Sequence, residues 1–219
     1  LHPGRTAPLV GGEPVRARWW NFYERGRSLN DGGQYQEAEQ SLRKAIAGRG
    51  RDQRWARTYG LHFIREYFPR RELGIALLYQ EELDAALEQL TRSMDDEYSA
   101  RAAYLLDRAR ELRVQRQGLD KEPPRLQIDS ASIQPTVTGA RRYVVRGIAR
   151  DDTYVVRISV NGTPVDLRCS QRETAFSMPV DLAPGPNVVE VQAVDIAGRE
   201  TRATRSEEHT SELQSLLII

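Results

Sequence analysis

The 219-residue sequence predicts a multidomain α plus all-β protein, with helices in the first half and short strands in the second. Three observations predict it. From Val15 to about Gly118 the apolar residues recur at three- and four-residue spacing, the period of an amphipathic helix. The pair Pro123-Pro124 then breaks the pattern, because proline cannot extend a helix and stiffens a linker. After it the apolar period becomes two, as in Val156, Ile158 and Val160. The implied boundaries are a disordered lead-in at 1–15, a helical domain at 16–118, a linker at 119–124, an all-β domain at 125–204 and a separate tail at 205–219.

Residues 1–15 are rich in glycine and proline and carry no period, hence the disordered lead-in. Between 19 and 48, Phe22, Gly26, Leu29, Gly33, Tyr35, Ala38, Leu42 and Ala45 fall on two amphipathic faces separated by Asp31-Gly32-Gly33. Glycine supplies the helix-ending conformation of a tight reversal, so this segment is expected to be a helical hairpin. Small residues at Gly26 and Ala38 let the two helices approach, and Leu42 and Ala45 fill the seam. The same order returns at Leu73-Gly74, Leu77, Leu83, Ala86, Leu90 and Ser93. This grammar resembles the tetratricopeptide repeat, a helix-turn-helix unit of 34 residues. The period departs from it, since Ala38 and Ala86 stand 48 residues apart. The surplus contains Trp55, Tyr59, His62, Phe63, Ile64, Tyr67 and Phe68, expected to extend a helix before Pro69 opens the next. A last helix, about 96–116, carries Ala100, Ala103, Leu106, Ala109 and Leu112 on one face and closes the repeats as a cap.

Strands are expected near 125–129, 135–139, 142–149, 154–160, 163–168, 173–180 and 187–194, with 199–204 a possible eighth. Asn161-Gly162 between two apolar runs is a strong hairpin signal, because both residues tolerate positive φ. Ala183-Pro184-Gly185-Pro186 and Ala197-Gly198 mark further turns. Short strands at this spacing argue for an immunoglobulin-like β-sandwich. Gly147, Asp151-Asp152, Val160-Asn161-Gly162, Phe176, Leu182, Asn187-Val188-Val189, Asp195 and Gly198 make the segment similar to bacterial immunoglobulin-like modules of surface proteins. That resemblance implies a location outside the cytoplasm, in the periplasm or at the cell surface.

The chain begins at Leu1, which suggests a processed protein or a fragment. At the other end Arg205 to Ser215 resembles the translation of a sequencing adapter, so 205–219 is expected to be non-native. Of 32 basic residues only Lys44 and Lys121 are lysine, and arginine's GC-rich codons suggest a GC-rich bacterial genome.

The chemistry is sparse. With 32 basic and 31 acidic residues, the net charge of +1 lacks the basic excess of a nucleic-acid binder. No run reaches the roughly 18–20 apolar residues of a membrane span. His2, His62 and His209 form no zinc spacing and no triad with Cys169 or a serine, so no catalytic residue and no cofactor are assigned. His62 is expected to be a packed helix residue and Cys169 a small half-buried one. Asp151, Asp152 and Asp195 are weak calcium candidates, since that ion takes six to eight oxygens; the spacing is not that of an EF-hand, and aspartate at strand ends normally makes turns. What the tetratricopeptide resemblance adds is a groove, which maps onto Tyr23, Arg27 and Asn30 in the first unit and Arg71 and Ile75 in the second. The expected function is a non-enzymatic protein-interaction scaffold of the bacterial envelope with a protein or peptide partner. The alternative is an accessory part of a larger envelope enzyme, a peptidase or wall hydrolase, whose catalytic domain lies outside this chain.

Overall fold

The computed structural model describes residues 18–129, 142–183 and 185–209. The chain divides into two compact units, Leu1–Leu106 and Asp107–Ile219, with the division falling inside a helix.

The first unit opens with α1 (Trp19–Asp31) and α2 (Tyr35–Gly48), joined through Gly33 at φ +73°. Asn21 starts α1 by accepting the Arg18 amide on its side-chain oxygen at 3.0 Å. The seam between the helices depends on Gly26, because a Cβ there meets Leu42 Cγ at 2.5 Å. A β-hairpin follows, β1 (Gln53–Arg57) and β2 (Phe63–Tyr67). Then come α3 (Pro69–Tyr79) and α4 (Leu83–Asp96), whose seam repeats the first: a Cβ on Gly74 meets Leu90 Cγ at 2.6 Å. Pro69 takes the first helical position of α3, where a missing N–H costs nothing. Tyr23, Leu42, Tyr67, Phe68, Leu73, Leu77 and Leu90 are fully or almost fully buried and form the core. The helix α5 (Ala100–Gln117) begins in this unit.

The second unit is an antiparallel sheet: β3 (Arg125–Ile128), β4 (Arg142–Val160), β5 (Thr163–Pro164), β6 (Gln171–Asp181), β7 (Gly185–Asp195) and β8 (Glu200–His209). The order is β3-β4-β7-β8, with β5 and β6 also paired to β4. Strand β4 organises it. Its first half lies between β3 and β6; its second half pairs with β7, and the register shifts between Arg150 and Val155. Such a bulge bends the strand and increases its twist, and the sheet curls around Val145, Ala149, Val155, Ile158, Val160, Phe176, Val189, Val191 and Ala193. The Asn161-Gly162 turn has φ +49° and +76°, as the hairpin signal requires.

The expected fold class is overturned in both halves. The helical half is not a tetratricopeptide-type repeat array, because a β-hairpin stands between the two helical hairpins. The residues expected to extend a helix, Trp55 to Tyr67, form that hairpin and Phe68 opens α3: Gly60 and Glu66, both at φ +53°, are left-handed conformations no helix admits. The β half is not an immunoglobulin-like sandwich but one continuous curled sheet. The runs 142–149 and 154–160 are a single 19-residue strand, so hydrogen bonding passes from β3 and β6 to β7 with no second, facing sheet among the described residues. The extracytoplasmic location drawn from the immunoglobulin resemblance loses that support. The expected strand at 135–139, the lead-in at 1–15 and residues 210–219 lie outside the described residues; 205–209 continue β8 against β7.

Candidate functional site

The β1–β2 hairpin sets an unusual surface on an ordinary anchor. It is held to α1 through the end of β2: Tyr67 is fully buried, and its ring meets Trp19 at 4.7 Å and Tyr23 at 4.6 Å, both edge-on, while Ala56 on β1 is fully buried too. Tyr67 donates its hydroxyl to the Arg49 carbonyl at 2.6 Å. Tyr23 donates to the Glu66 carbonyl at 2.7 Å and accepts the Phe68 amide at 3.2 Å, pinning the left-handed residue that turns β2 into α3. Burial first, then the charge of Glu72, pushes the Tyr23 hydroxyl up to about 12, so it stays a donor.

The outer face is apolar and cationic together. Trp55 pairs across the strands with Arg65, and Arg57 with Phe63. Alternation puts all four side chains on one face, the rings on one diagonal and the guanidinium groups on the other. Trp55 is 58% exposed and Phe63 50%, while Tyr59 and Leu61 in the turn reach 58% and 88%. Four of the ten large exposed apolar residues among those described thus fall within nine positions. The turn is ordered by its own bonds: Thr58 N–H donates to the His62 carbonyl at 2.9 Å, and Arg57 Nε to the Gly60 carbonyl at 2.7 Å. His62 stacks on Tyr59 at 4.5 Å, and Tyr59 lies 6.1 Å from Trp20. His62 is therefore an exposed turn residue and not a packed helical one.

Behind the hairpin, Asp52 is fully buried and caps a helix from a distance. Its carboxylate accepts the Arg70 amide at 2.9 Å and the Arg71 amide at 3.2 Å, two of the orphan donors at the start of α3. Its own amide donates to Asp96 Oδ2 at 3.0 Å. Burial raises the Asp52 carboxyl to about 6; the Ser93 hydroxyl and the two amides oppose the shift, and the charge of Asp96 adds to it.

The groove residues expected from sequence are mostly interior. Tyr23 holds the β2–α3 junction, and Asn30 donates its amide to the Glu72 carbonyl at 2.9 Å in the core. Arg71 is buried in an ion pair with Glu72 at 3.0 Å, over the Phe68 ring at 4.3 Å, and Ile75 is 5% exposed. Arg27 alone of the five faces solvent, beside the Tyr23 ring.

The acidic candidates also separate. Asp151 and Asp152 gather with Asp120, their carboxylate oxygens within 4.8 Å of one another, beside a cavity of about 290 Å³ that Glu122, Pro123, Arg125 and Arg150 help to line. Asp195 instead organises its own turn, accepting the Ala197 amide at 2.9 Å and the Arg199 amide at 2.8 Å on Oδ1. The cluster has internal partners. Arg199 pairs with Asp120, Thr153 donates its amide to Asp151 at 2.7 Å, and the Lys121 amide reaches Asp152 at 3.2 Å. Such an arrangement satisfies much of the oxygen charge that a cation would otherwise meet. Cys169 is half-buried. Nearby, Ser170 is held by α5, donating to Asp107 Oδ1 at 2.6 Å and accepting from Arg110.

Sequence reasoning missed the hairpin as a site. The signal available was local: Arg49, Arg51, Arg54, Arg57 and Arg65 against Asp52 as the one acidic residue in 49–65, interleaved with aromatics around Gly60. No family model and no curated protein matches the sequence. Among solved structures, 38% of the chain aligns with the sulfane dehydrogenase SoxCD of Paracoccus pantotrophus at 22% identity and a TM-score of 0.31. The chain spans 23% of that protein's length, and a likeness of this degree carries no argument about fold or chemistry.

Proposed function

We propose that the chain is a non-enzymatic protein-interaction module whose docking surface is the outer face of the β1–β2 hairpin. The observation that carries the reading is the concentration of Trp55, Tyr59, Leu61 and Phe63 at the surface of a hairpin rigidly anchored to α1. Contiguous exposed apolar residues rimmed by polar ones mark interaction sites, and tryptophan, tyrosine and arginine are the residues that dominate binding energy at interfaces. Tyrosine and tryptophan offer large contact area at small entropic cost, and the ordered turn has already lost its freedom before a partner arrives.

The test is site-specific photo-crosslinking. A benzoylphenylalanine at Leu61 is expected to give discrete protein adducts in an extract of the source organism. The same group at Tyr104, an exposed residue on α5, is the control. Equal adducts at both positions, or none at Leu61, overturn the reading.

A further inference from the structure

We infer that the partner segment this face accepts is acidic, with an apolar side chain as its anchor; this rests on the protein-docking reading above. The diagonal arrangement specifies the chemistry. Arg57 and Arg65 are both exposed, the carboxylate of Asp52 is buried and faces the start of α3, and Glu66 beside Arg65 is the one exposed acidic residue of the hairpin. Arg51 adds a third exposed cation beside the hairpin, whereas Arg54 is paired with Glu97 at 3.1 Å. The surface therefore carries positive charge that its own acidic residues only partly answer, next to apolar rings only half covered.

Spacing matches an extended peptide. Side chains two residues apart in an extended chain lie on one face about 7 Å apart, the same spacing that separates Phe63 from Arg65 along β2. A segment with a carboxylate and an apolar residue two positions apart can thus place its acid against Arg65 and its apolar group against Phe63, with Arg57 opposite Phe63 as a second cation. A planar guanidinium suits a carboxylate bidentately, and one that lies over a ring can bind an anion at its edge without leaving the ring.

A single-stranded nucleic acid would also seek cations and aromatics, yet a face of Trp55 and a face of Tyr59 are already covered. The Arg65 guanidinium sits 4.9 Å above the Trp55 centroid, and His62 stacks on Tyr59. A base stacking on either covered face would have to displace its partner, which leaves Phe63 as the open ring. Leu61, the most exposed apolar residue of the hairpin, offers no stacking surface but does offer an aliphatic contact.

The experiment is fluorescence anisotropy on the full chain, using a short labelled peptide of alternating glutamate and leucine. Its glutamine analogue, its lysine analogue and oligothymidylate are the comparison probes. The glutamate peptide is expected to bind, weakening as salt rises, with roughly tenfold or greater loss in Arg57→Glu/Arg65→Glu and in Leu61→Asp. Leu61→Asp lies at a solvent-exposed turn tip, so it tests the surface with the fold retained, and Arg108→Glu on α5 is expected to bind as wild type. Equal binding of the glutamine analogue overturns the acidic partner while leaving the docking face intact. Equal loss in Arg108→Glu overturns the placement. Binding of oligothymidylate in place of the peptide overturns both this inference and the protein-docking reading.

Discussion

The most consequential single residue is Asp52, a carboxylate buried without a salt bridge to the helix it caps. Its native value of about 6 stands against an ordinary 3.8, so the folded protein holds that proton more tightly than the unfolded chain. The stability this confers is complete below about pH 4 and is lost as pH rises through 6, roughly 3 kcal/mol in all. The stability difference between wild type and Asp52→Asn, followed by urea unfolding, is therefore expected to move by about that amount in favour of the variant between pH 4 and pH 7. A difference independent of pH contradicts the burial argument. Tyr23 is a second test at this scale. Tyr23→Phe leaves the Glu66 carbonyl and the Phe68 amide without their partner, and the expected cost is about 1–3 kcal/mol by denaturant unfolding. None of this was legible from sequence: Asp52 and Tyr23 appear there as a charge in a basic stretch and a candidate groove residue. Their partners lie more than fifteen residues away, at positions only folding brings near.

Elements were read unevenly, and the reason is physical. The seams of the two helical hairpins were legible because a helix places i, i+3 and i+4 on one face, so Gly26 with Leu42 and Gly74 with Leu90 announce close approach. Alanine at Gly26 or Gly74 gains helix propensity of about 1 kcal/mol, but its Cβ collides with a leucine Cγ, not a free chain end. Overpacking of this kind costs about 1–3 kcal/mol. Each substitution is therefore expected to be neutral to destabilising by up to about 2 kcal/mol in thermal melts, and clear stabilisation by either would refute the seam. The β1–β2 hairpin was illegible by the same rule. Trp55, Tyr59 and Phe63 stand four apart, the helical spacing, while in the folded chain Trp55 and Phe63 share a strand face and Tyr59 sits in the turn. A two-stranded hairpin is marginal alone; this one is held because Tyr67 packs on Trp19 and Tyr23 of α1, a tertiary contact the local pattern does not encode.

At the scale of the whole molecule, each unit carries its own core, and in the sheet Gly147 sits where no room is left for a side chain. A Cβ there lies 2.6 Å from the Gln127 carbonyl oxygen on β3 and 2.8 Å from the Phe176 ring on β6. Backbone cannot yield as a side chain can, so Gly147→Ala is expected to lower stability by about 3 kcal/mol, with the loss appearing in the β signal of circular dichroism. A wild-type melt sinks that assignment. The sequence by itself determined the periodicities that hold: the helical hairpins on either side of residues 53–67, a last helix to about residue 117, strands after 125, the Asn161-Gly162 turn and the two glycine seams. It did so because those properties follow from side-chain direction within one element. Tertiary structure alone decided how the elements combine. Alternation says which side chains share a face but not which strand lies beside which, so the bulged 19-residue β4 that makes one curled sheet in place of a sandwich was hidden. Amphipathic spacing likewise pointed to a helix for the aromatic stretch, and the tertiary structure pairs it instead as a hairpin whose Trp55, Tyr59 and Phe63 turn outward, the proposed docking face.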